Sequence, residues 1–271
     1  MAVLLAGALT VQAGCARSGK AGITLAGSTS VEPFAERLAE LYMQKHQGIK
    51  VSVQGGGSSA GIRAVENKIC EIGMSSRELK PEEKGLTEIP IAHDAIALIV
   101  NARNNVRGIT LEQARDVFTG RVRSWRELGG EDKPITIITR EEGSGTRASF
   151  EEQVMAADGT RGADGKPGPE PFAADALVQD SNGAVREIVA EDPEALGYIS
   201  FGLVDERVRA LALNGVVPDE NTVKSGRYAI VREFLFLTNG EPRGATKAFI
   251  DYVLSSEGQQ ALVEEGLIRV K

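Results

Sequence analysis

The 271-residue sequence holds only two cysteines, two histidines and one tryptophan, and only 5% of it is aromatic. If Cys15 is taken by modification, Cys70 has no partner within the chain, so no structural disulfide is expected. Neither histidine stands at metal-ligand spacing from cysteines or carboxylates, so no metal site is expected either. A serine hydrolase would need a histidine base. His46 falls at the end of an expected helix and reads as a surface residue, and His93 and its neighbour Asp94 would project to opposite faces of a strand and form no dyad. A net charge of −7, with no basic stripe interleaved with aromatics, argues against a nucleic-acid partner. The phosphate-loop lysine and the Gly-x-Gly-x-x-Gly fingerprint are both missing from the strand-to-helix turns, which argues against nucleotides.

What the chain does have is 42% apolar and 25% charged residues, enough for a packed core, and 31 glycines, which imply many tight turns. The length allows one large α/β unit or two intertwined lobes, and two lobes is the favoured reading. Residues 23–26 read as a strand. After Gly27, the residues Phe34, Leu38, Leu41 and Tyr42 recur at helical spacing, with Ser30 the expected N-cap and Pro33 tolerated in the first turn. Val51 and Val53 mark a second strand, followed by a glycine run and a helix through Ile62, Val65 and Ile69, so the same βα unit occurs twice. Residues 69–74 read as a strand in which Cys70 is a small buried apolar residue. Residues 89–92 and 95–100 read as two buried strands separated by His93 and Asp94. Thr110-Leu111-Glu112-Gln113 is a capping box that opens a helix. Residues 135–139 form a strand, and Phe150 and Val154 continue a helix beyond the loop that follows it. Residues 157–171, rich in Gly, Pro and Asp, should be an exposed loop. A helix over 182–190, a strand over 228–237 and helices over 245–254 and 258–265 complete the pattern.

Three of the turns share one chemistry. Arg140-Glu141-Glu142-Gly143-Ser144-Gly145-Thr146-Arg147, Gly27-Ser28-Thr29-Ser30 and Gly55-Gly56-Gly57-Ser58-Ser59 each place glycines and hydroxyls between a strand and a helix. A helix start presents unpaired N–H groups and partial positive charge, glycine lets an anion approach the backbone, and arginine offers a planar fork matched to two oxygens. One such loop is ordinary capping. Three that converge make a cleft for a small oxyanion, held by local dipoles and a few arginines despite the negative overall charge.

The N-terminus is an apolar run, too short to span a bilayer as a helix, that ends in Gln12-Ala13-Gly14-Cys15. It resembles the end of a bacterial lipoprotein signal, in which cleavage exposes the cysteine for lipid attachment. It departs from that pattern in Gln12, where an apolar residue is usual, and in having no Lys or Arg before Arg17. Lipidation at Cys15 and an extracytoplasmic location, periplasmic or at the cell surface, are the expectations.

With Gly73-Met74-Ser75-Ser76-Arg77, Ile91-Ala92-His93-Asp94, Trp125-Arg126-Glu127-Leu128-Gly129-Gly130 and Gly197-Tyr198-Ile199-Ser200-Phe201-Gly202, the three loops resemble, in the same order, the phosphate-binding proteins of phosphate ABC transporters. The resemblance implies an α/β, two-lobed type II periplasmic-binding-protein fold with two crossover strands at the hinge. Residues 22–97 and 231–271 would form one lobe, 98–230 the other, and 1–21 a signal segment and linker. It implies a monomeric, non-enzymatic receptor without cofactor or metal that captures inorganic phosphate and delivers it to the permease subunits in the membrane. The implied phosphate ligands are Thr29, Ser30, Ser58, Ser76, Arg140, Ser144, Gly145 and Thr146. Some family members carry an aspartate where Ser76 stands, an acceptor for the proton on phosphate. Asp94 is the candidate replacement, its other reading being a structural partner of Arg77 or a turn residue. By the same analogy Glu142 orients the Arg140 fork, and Asn182 either reaches the cleft or caps its helix. The missing aspartate keeps open a receptor for another tetrahedral oxyanion, such as sulfate or molybdate, and a phosphate sensor is the remaining alternative.

Overall fold

The computed structural model describes residues 22–157, 159–162 and 165–270. In chain order its elements are β1 (Gly22–Gly27), α1 (Glu32–Lys45), β2 (Lys50–Gln54), α2 (Ser58–Glu66), β3 (Ile72–Ser75), β4 (Thr87–Asn101), β5 (Gly108–Ile109), α3 (Leu111–Phe118), β6 (Thr136–Arg140), α4 (Gly145–Phe150), β7 (Leu177–Gln179), α5 (Asn182–Glu191), β8 (Ala195–Ser200), β9 (Val208–Ala210), β10 (Ala212–Leu213), α6 (Glu220–Lys224), β11 (Val231–Thr238), α7 (Gly244–Val253) and α8 (Ser256–Glu264). The main sheet runs β2-β1-β3-β11-β4-β8-β6-β7.

The first lobe follows from the repeated βα pattern. β1 pairs in parallel with β2 and β3, and parallel neighbours need crossovers, which α1 and α2 supply. α1 buries Phe34, Ala35, Leu38, Ala39 and Tyr42 along one face. The expected helix through Ile69 stops earlier, because Lys68 takes a left-handed φ of 57° and leaves Ile69 75% exposed. β3 accordingly begins at Ile72, although Cys70 is buried.

β4 corrects the expectation of two strands, being one strand of 15 residues that serves both lobes. Its first part pairs antiparallel with β11 and its second part antiparallel with β8. His93 and Asp94 do not interrupt it. The His93 backbone is held on both sides by Ile268, at 2.7 and 3.0 Å, and the Asp94 charge is met by Arg232, its cross-strand neighbour on β11. A register shift in β11 leaves Ile91 without a strand partner, and the buried Gln259 amide donates to the Ile91 carbonyl at 2.9 Å, as a bulge requires.

Two cores lie on either side of this crossing. Ile91 and Ala92 pack with Ile23, Leu25, Phe34, Phe234 and Phe236. Ala95 and Ile96 pack with Phe118, Trp125, Phe150 and Tyr198, so β4 changes cores at His93 and Asp94. The chain returns through Tyr228 and Ile230, still in the second core, into β11. The Thr110 capping box forms as expected, with Thr110 Oγ1 accepting from Gln113 N–H at 3.0 Å and the Gln113 side chain accepting from Thr110 N–H at 2.8 Å. Among the described residues of 157–171 the one pairing is an isolated bridge between Arg161 and Pro167, and none of these residues is buried.

Candidate functional site

The turn between β1 and α1 carries the first hydroxyls. Ser28 Oγ accepts from Ser30 N–H at 3.2 Å and donates to Ser76 Oγ at 2.9 Å. Ser30 is not the helix cap. Val31 holds that position without a side-chain bond, and Ser30 Oγ instead hydrogen-bonds Thr146 Oγ1 at 2.7 Å and accepts from Asn182 Nδ2 at 2.9 Å. In the second loop Gly57 takes a φ of 89°, open to glycine, and leads into Ser58. Ser58 Oγ accepts from Ser76 N–H at 3.1 Å and lies 3.3 Å from Ser76 Oγ. Ser28, Ser30, Ser58 and Ser76 are each at most 2% exposed. Buried hydroxyls need partners, and these supply one another.

Arg140, at the end of β6, is 1% exposed. Its Nε and Nη2 both donate to the Glu141 carboxylate at 2.9 Å. Nε also donates to the Gln179 carbonyl at 3.2 Å, and Nη2 to the Asp180 carbonyl at 3.1 Å and to Thr29 Oγ1 at 3.2 Å. Nη1 is buried and has no hydrogen-bond partner among the described residues. A guanidinium nitrogen removed from water without an acceptor is destabilising, and an anionic oxygen is its best complement.

The surroundings fix Arg140 firmly. Tyr198 Oη accepts from Arg140 N–H at 3.4 Å, bonds Thr139 Oγ1 at 2.8 Å, and its ring stacks on Phe150 at 4.0 Å. Burial raises the Tyr198 phenol above its ordinary value, so it stays neutral. Arg147 Nη1 donates to the Arg140 carbonyl at 2.9 Å while Nε pairs with Glu151 at 2.7 Å, so the second guanidinium of the motif braces the first. Ser144 caps α4 by accepting from Arg147 N–H at 3.2 Å, which leaves its own proton able to donate. Gly145 and Thr146 open the first turn of α4, where N–H groups have no preceding turn to bond.

The two lobes meet through these groups. Ser59 N–H donates to the Gly143 carbonyl at 3.2 Å, and Ser149 Oγ to the Ser76 carbonyl at 3.2 Å. Gly145 packs so tightly that a Cβ there would lie 2.6 Å from Ser76 Oγ and 3.1 Å from Ser58 Cβ, and closer still to Ser58 Oγ. Ser30, Ser58, Ser76, Arg140, Ser144, Gly145 and Thr146 thus form one buried cluster across the cleft, with half-buried Thr29 at its edge. Such an array of neutral donors around one guanidinium suits a small, oxygen-rich anion. The histidines stand elsewhere: His46 stacks on Tyr42 at 4.0 Å, and His93 lies 3.9 Å from Glu233. No group of metal-ligating side chains occurs among the described residues.

Residues 13–257 match the family model of the PBP superfamily domain. The chain is 33% identical over 254 residues to the phosphate-binding protein PstS of Bacillus subtilis, covering 92% of this chain and 80% of that one. It is 30% identical over 257 residues to the PstS of Borreliella burgdorferi, covering 92% and 90%. The chain belongs to the PstS family of the PBP superfamily. Its fold is similar, at a TM-score of 0.85 and 40% identity, to a Clostridium perfringens protein assigned as a phosphate ABC transporter substrate-binding protein and solved with bound phosphate, over 92% of this chain and 100% of that one. An ABC-type phosphate transport receptor from Vibrio cholerae is similar at a TM-score of 0.72 and 35% identity, again over 92% and 100%. The α/β, two-lobed type II architecture expected from the sequence is that of the family.

Two expected roles are corrected by the geometry. Asp94 does not join the cluster. It is 1% exposed and accepts from Arg232 Nε and Nη2 at 2.9 and 2.8 Å and from Ser200 Oγ at 2.8 Å. Both carboxylate oxygens are thus engaged within the protein, Oδ2 by Arg232 and Oδ1 by Ser200. Burial pushes the Asp94 carboxyl up from its ordinary value, while Arg232 and Ser200 pull it down. Arg77, its expected alternative partner, pairs with Glu83 at 2.7 and 2.8 Å and donates to Ser59 Oγ at 3.1 Å. The residue that orients Arg140 is Glu141, not Glu142, which faces solvent one position further into the turn. Asn182, left open between cap and cleft, reaches across to Ser30, because Ser181 caps α5. For Arg232 the sequence offers one signal, a lone arginine in the apolar run 228–237.

Proposed function

We propose that this chain captures inorganic phosphate in the cleft between its lobes and delivers it to the permease of an ABC transporter. The observation that carries this reading is Arg140 Nη1, a buried guanidinium nitrogen without an acceptor among the described residues, in a hydroxyl cluster built by both lobes. Thr29, Ser30, Ser58 and Ser76 from one lobe, and Arg140, Ser144, Gly145 and Thr146 from the other, would surround the four phosphate oxygens. Hydroxyls both donate and accept, so they accommodate the proton that phosphate keeps near neutral pH.

Residues 22–97 with 231–271 form one lobe in this reading and 98–230 the other, boundaries that lie a few residues beyond the switch of cores in β4. Bound phosphate contacts both lobes and therefore stabilises the closed arrangement. The chain works as a monomeric receptor without turnover, outside the cytoplasmic membrane, anchored through lipid at Cys15, which lies outside the described residues. Among those residues no helix is long and apolar enough to cross a membrane.

The pairing of Asp94 with Arg232 and Ser200 supports a second reading. With Asp94 tied to Arg232 and the Glu141 carboxylate tied to Arg140, neither is free to accept a ligand proton, and sulfate or molybdate could bind the same groups. Calorimetric titration of ligand-stripped protein with phosphate, sulfate and molybdate separates the two. Tight, stoichiometric phosphate binding without turnover supports the first, whereas preference for sulfate or molybdate replaces it with the second. Co-purification with permease subunits distinguishes a transport receptor from a sensor.

A further inference from the structure

We propose that the Asp94–Arg232 ion pair is a positioning device that sets both walls of the oxyanion site from the hinge without touching the anion, an inference that rests on the phosphate reading above. The pair joins β4 and β11 where the chain passes between the lobes, and its two ends lead by hydrogen bonds to opposite sides of the cluster.

From Asp94 the path runs into the second lobe. Ser200 Oγ donates to Asp94 at 2.8 Å, Ser200 N–H donates to Asn182 Oδ1 at 3.1 Å, and that bond turns the amide so that Nδ2 donates to Ser30 Oγ at 2.9 Å. From Arg232 the path runs into the first lobe. Nη1 donates to the Ser76 carbonyl at 3.4 Å, Ser76 Oγ accepts from Ser28 Oγ at 2.9 Å, and Ser28 Oγ accepts from Ser30 N–H at 3.2 Å. The two paths close into a ring at Ser30. Every member is nearly or fully buried, from Asn182, Ser200 and Ser76 at 0% to Arg232 at 6%.

The ring gives the pair a reason to exist. A buried ion pair is weak support for stability, since well-packed apolar residues often do as well. Its value here lies in direction. Arg232, further held over the Phe234 ring at 5.2 Å, fixes the Ser76 carbonyl that Ser149 of the other lobe also bonds. Asp94 and Ser200 fix the amide that reaches across the cleft. Asp94 and Arg232 are therefore positioning residues, and their loss should loosen the closed, anion-bound form.

The test measures inorganic phosphate binding by calorimetry and stopped flow for the wild type, Ser200→Ala, Arg232→Lys and the double variant, with thermal unfolding as the check on folding. Each single variant should weaken phosphate about tenfold, mainly through faster dissociation, and the double variant should be hardly worse than the weaker single, because both cut one ring. Cooperatively folded variants with wild-type dissociation rates would overturn the proposal, as would losses that multiply in the double variant. Ser200→Ala keeps the charge pair, so it remains informative even if Arg232→Lys fails to fold. A wild-type chain that binds no phosphate would overturn the phosphate reading itself, and the proposal with it.

Discussion

Gly145→Ala isolates closure from folding. The backbone tolerates the change, because Gly145 has no positive φ and alanine suits the first turn of α4. The obstacle lies across the cleft: the new methyl would sit 2.6 Å from Ser76 Oγ and 3.1 Å from Ser58 Cβ. Rotating Ser58 away would strip the Ser76 N–H of its acceptor, and Ser58 Cβ cannot move without α2. Overpacking of this kind costs about 1–3 kcal/mol, and here it falls only on the closed form, since the open lobes separate Gly145 from Ser58 and Ser76. Phosphate affinity should therefore drop about 5- to 150-fold, at 1.4 kcal/mol per decade, with little change in melting temperature. Calorimetry with inorganic phosphate and small-angle scattering with and without it would check both halves. Wild-type affinity together with wild-type compaction in Gly145→Ala would refute this picture of the closed cleft.

Other outcomes follow from the same contacts. Arg140→Lys keeps a positive charge but loses the fork, and phosphate affinity should fall about 10- to 100-fold in calorimetry. Asp94→Asn leaves Arg232 buried without its counter-charge and should destabilise the chain by about 3–5 kcal/mol in denaturant titrations. Its phosphate-over-sulfate ratio should stay unchanged, and a narrowed ratio would restore Asp94 as the proton acceptor. Hydrogen bonds from Arg77 hold Glu83 below its ordinary value, so this stabilisation is present above pH 4.5 and lost as pH falls through the depressed value. Melting temperature measured against pH should thus fall more steeply below pH 4.5 in the wild type than in Glu83→Gln. Thr110→Ala removes a cap far from the cleft and should cost about 1 kcal/mol of stability while leaving phosphate affinity intact.

Local signals carried much of the fold. Strand, glycine-hydroxyl loop and helix recur in order, and the capping box at Thr110 and the run from Arg140 to Thr146 each sit where a short window predicts. Two of the failures come from partners distant in sequence, and two from local backbone turns. Ser30 has the look of a helix cap, yet its hydroxyl is drawn to Thr146 and Asn182 on the other lobe. His93 and Asp94 look like a break between strands because nothing nearby announces Arg232 as the group that neutralises Asp94. The assignment of Glu142 erred by one place, since which of two adjacent carboxylates faces Arg140 depends on the turn between β6 and α4. Ile69 satisfied a helical period that Lys68 had already ended.

The most direct test is a crystal structure of the phosphate complex. A phosphate oxygen should lie within about 2.7–3.2 Å of Arg140 Nη1, with Ser30, Ser58, Ser76 and Thr146 around the anion and Asp94 still held by Arg232 and Ser200. Phosphate bound elsewhere, or an Arg140 Nη1 that bonds only protein groups in the complex, would contradict the assignment of this cluster as the phosphate site.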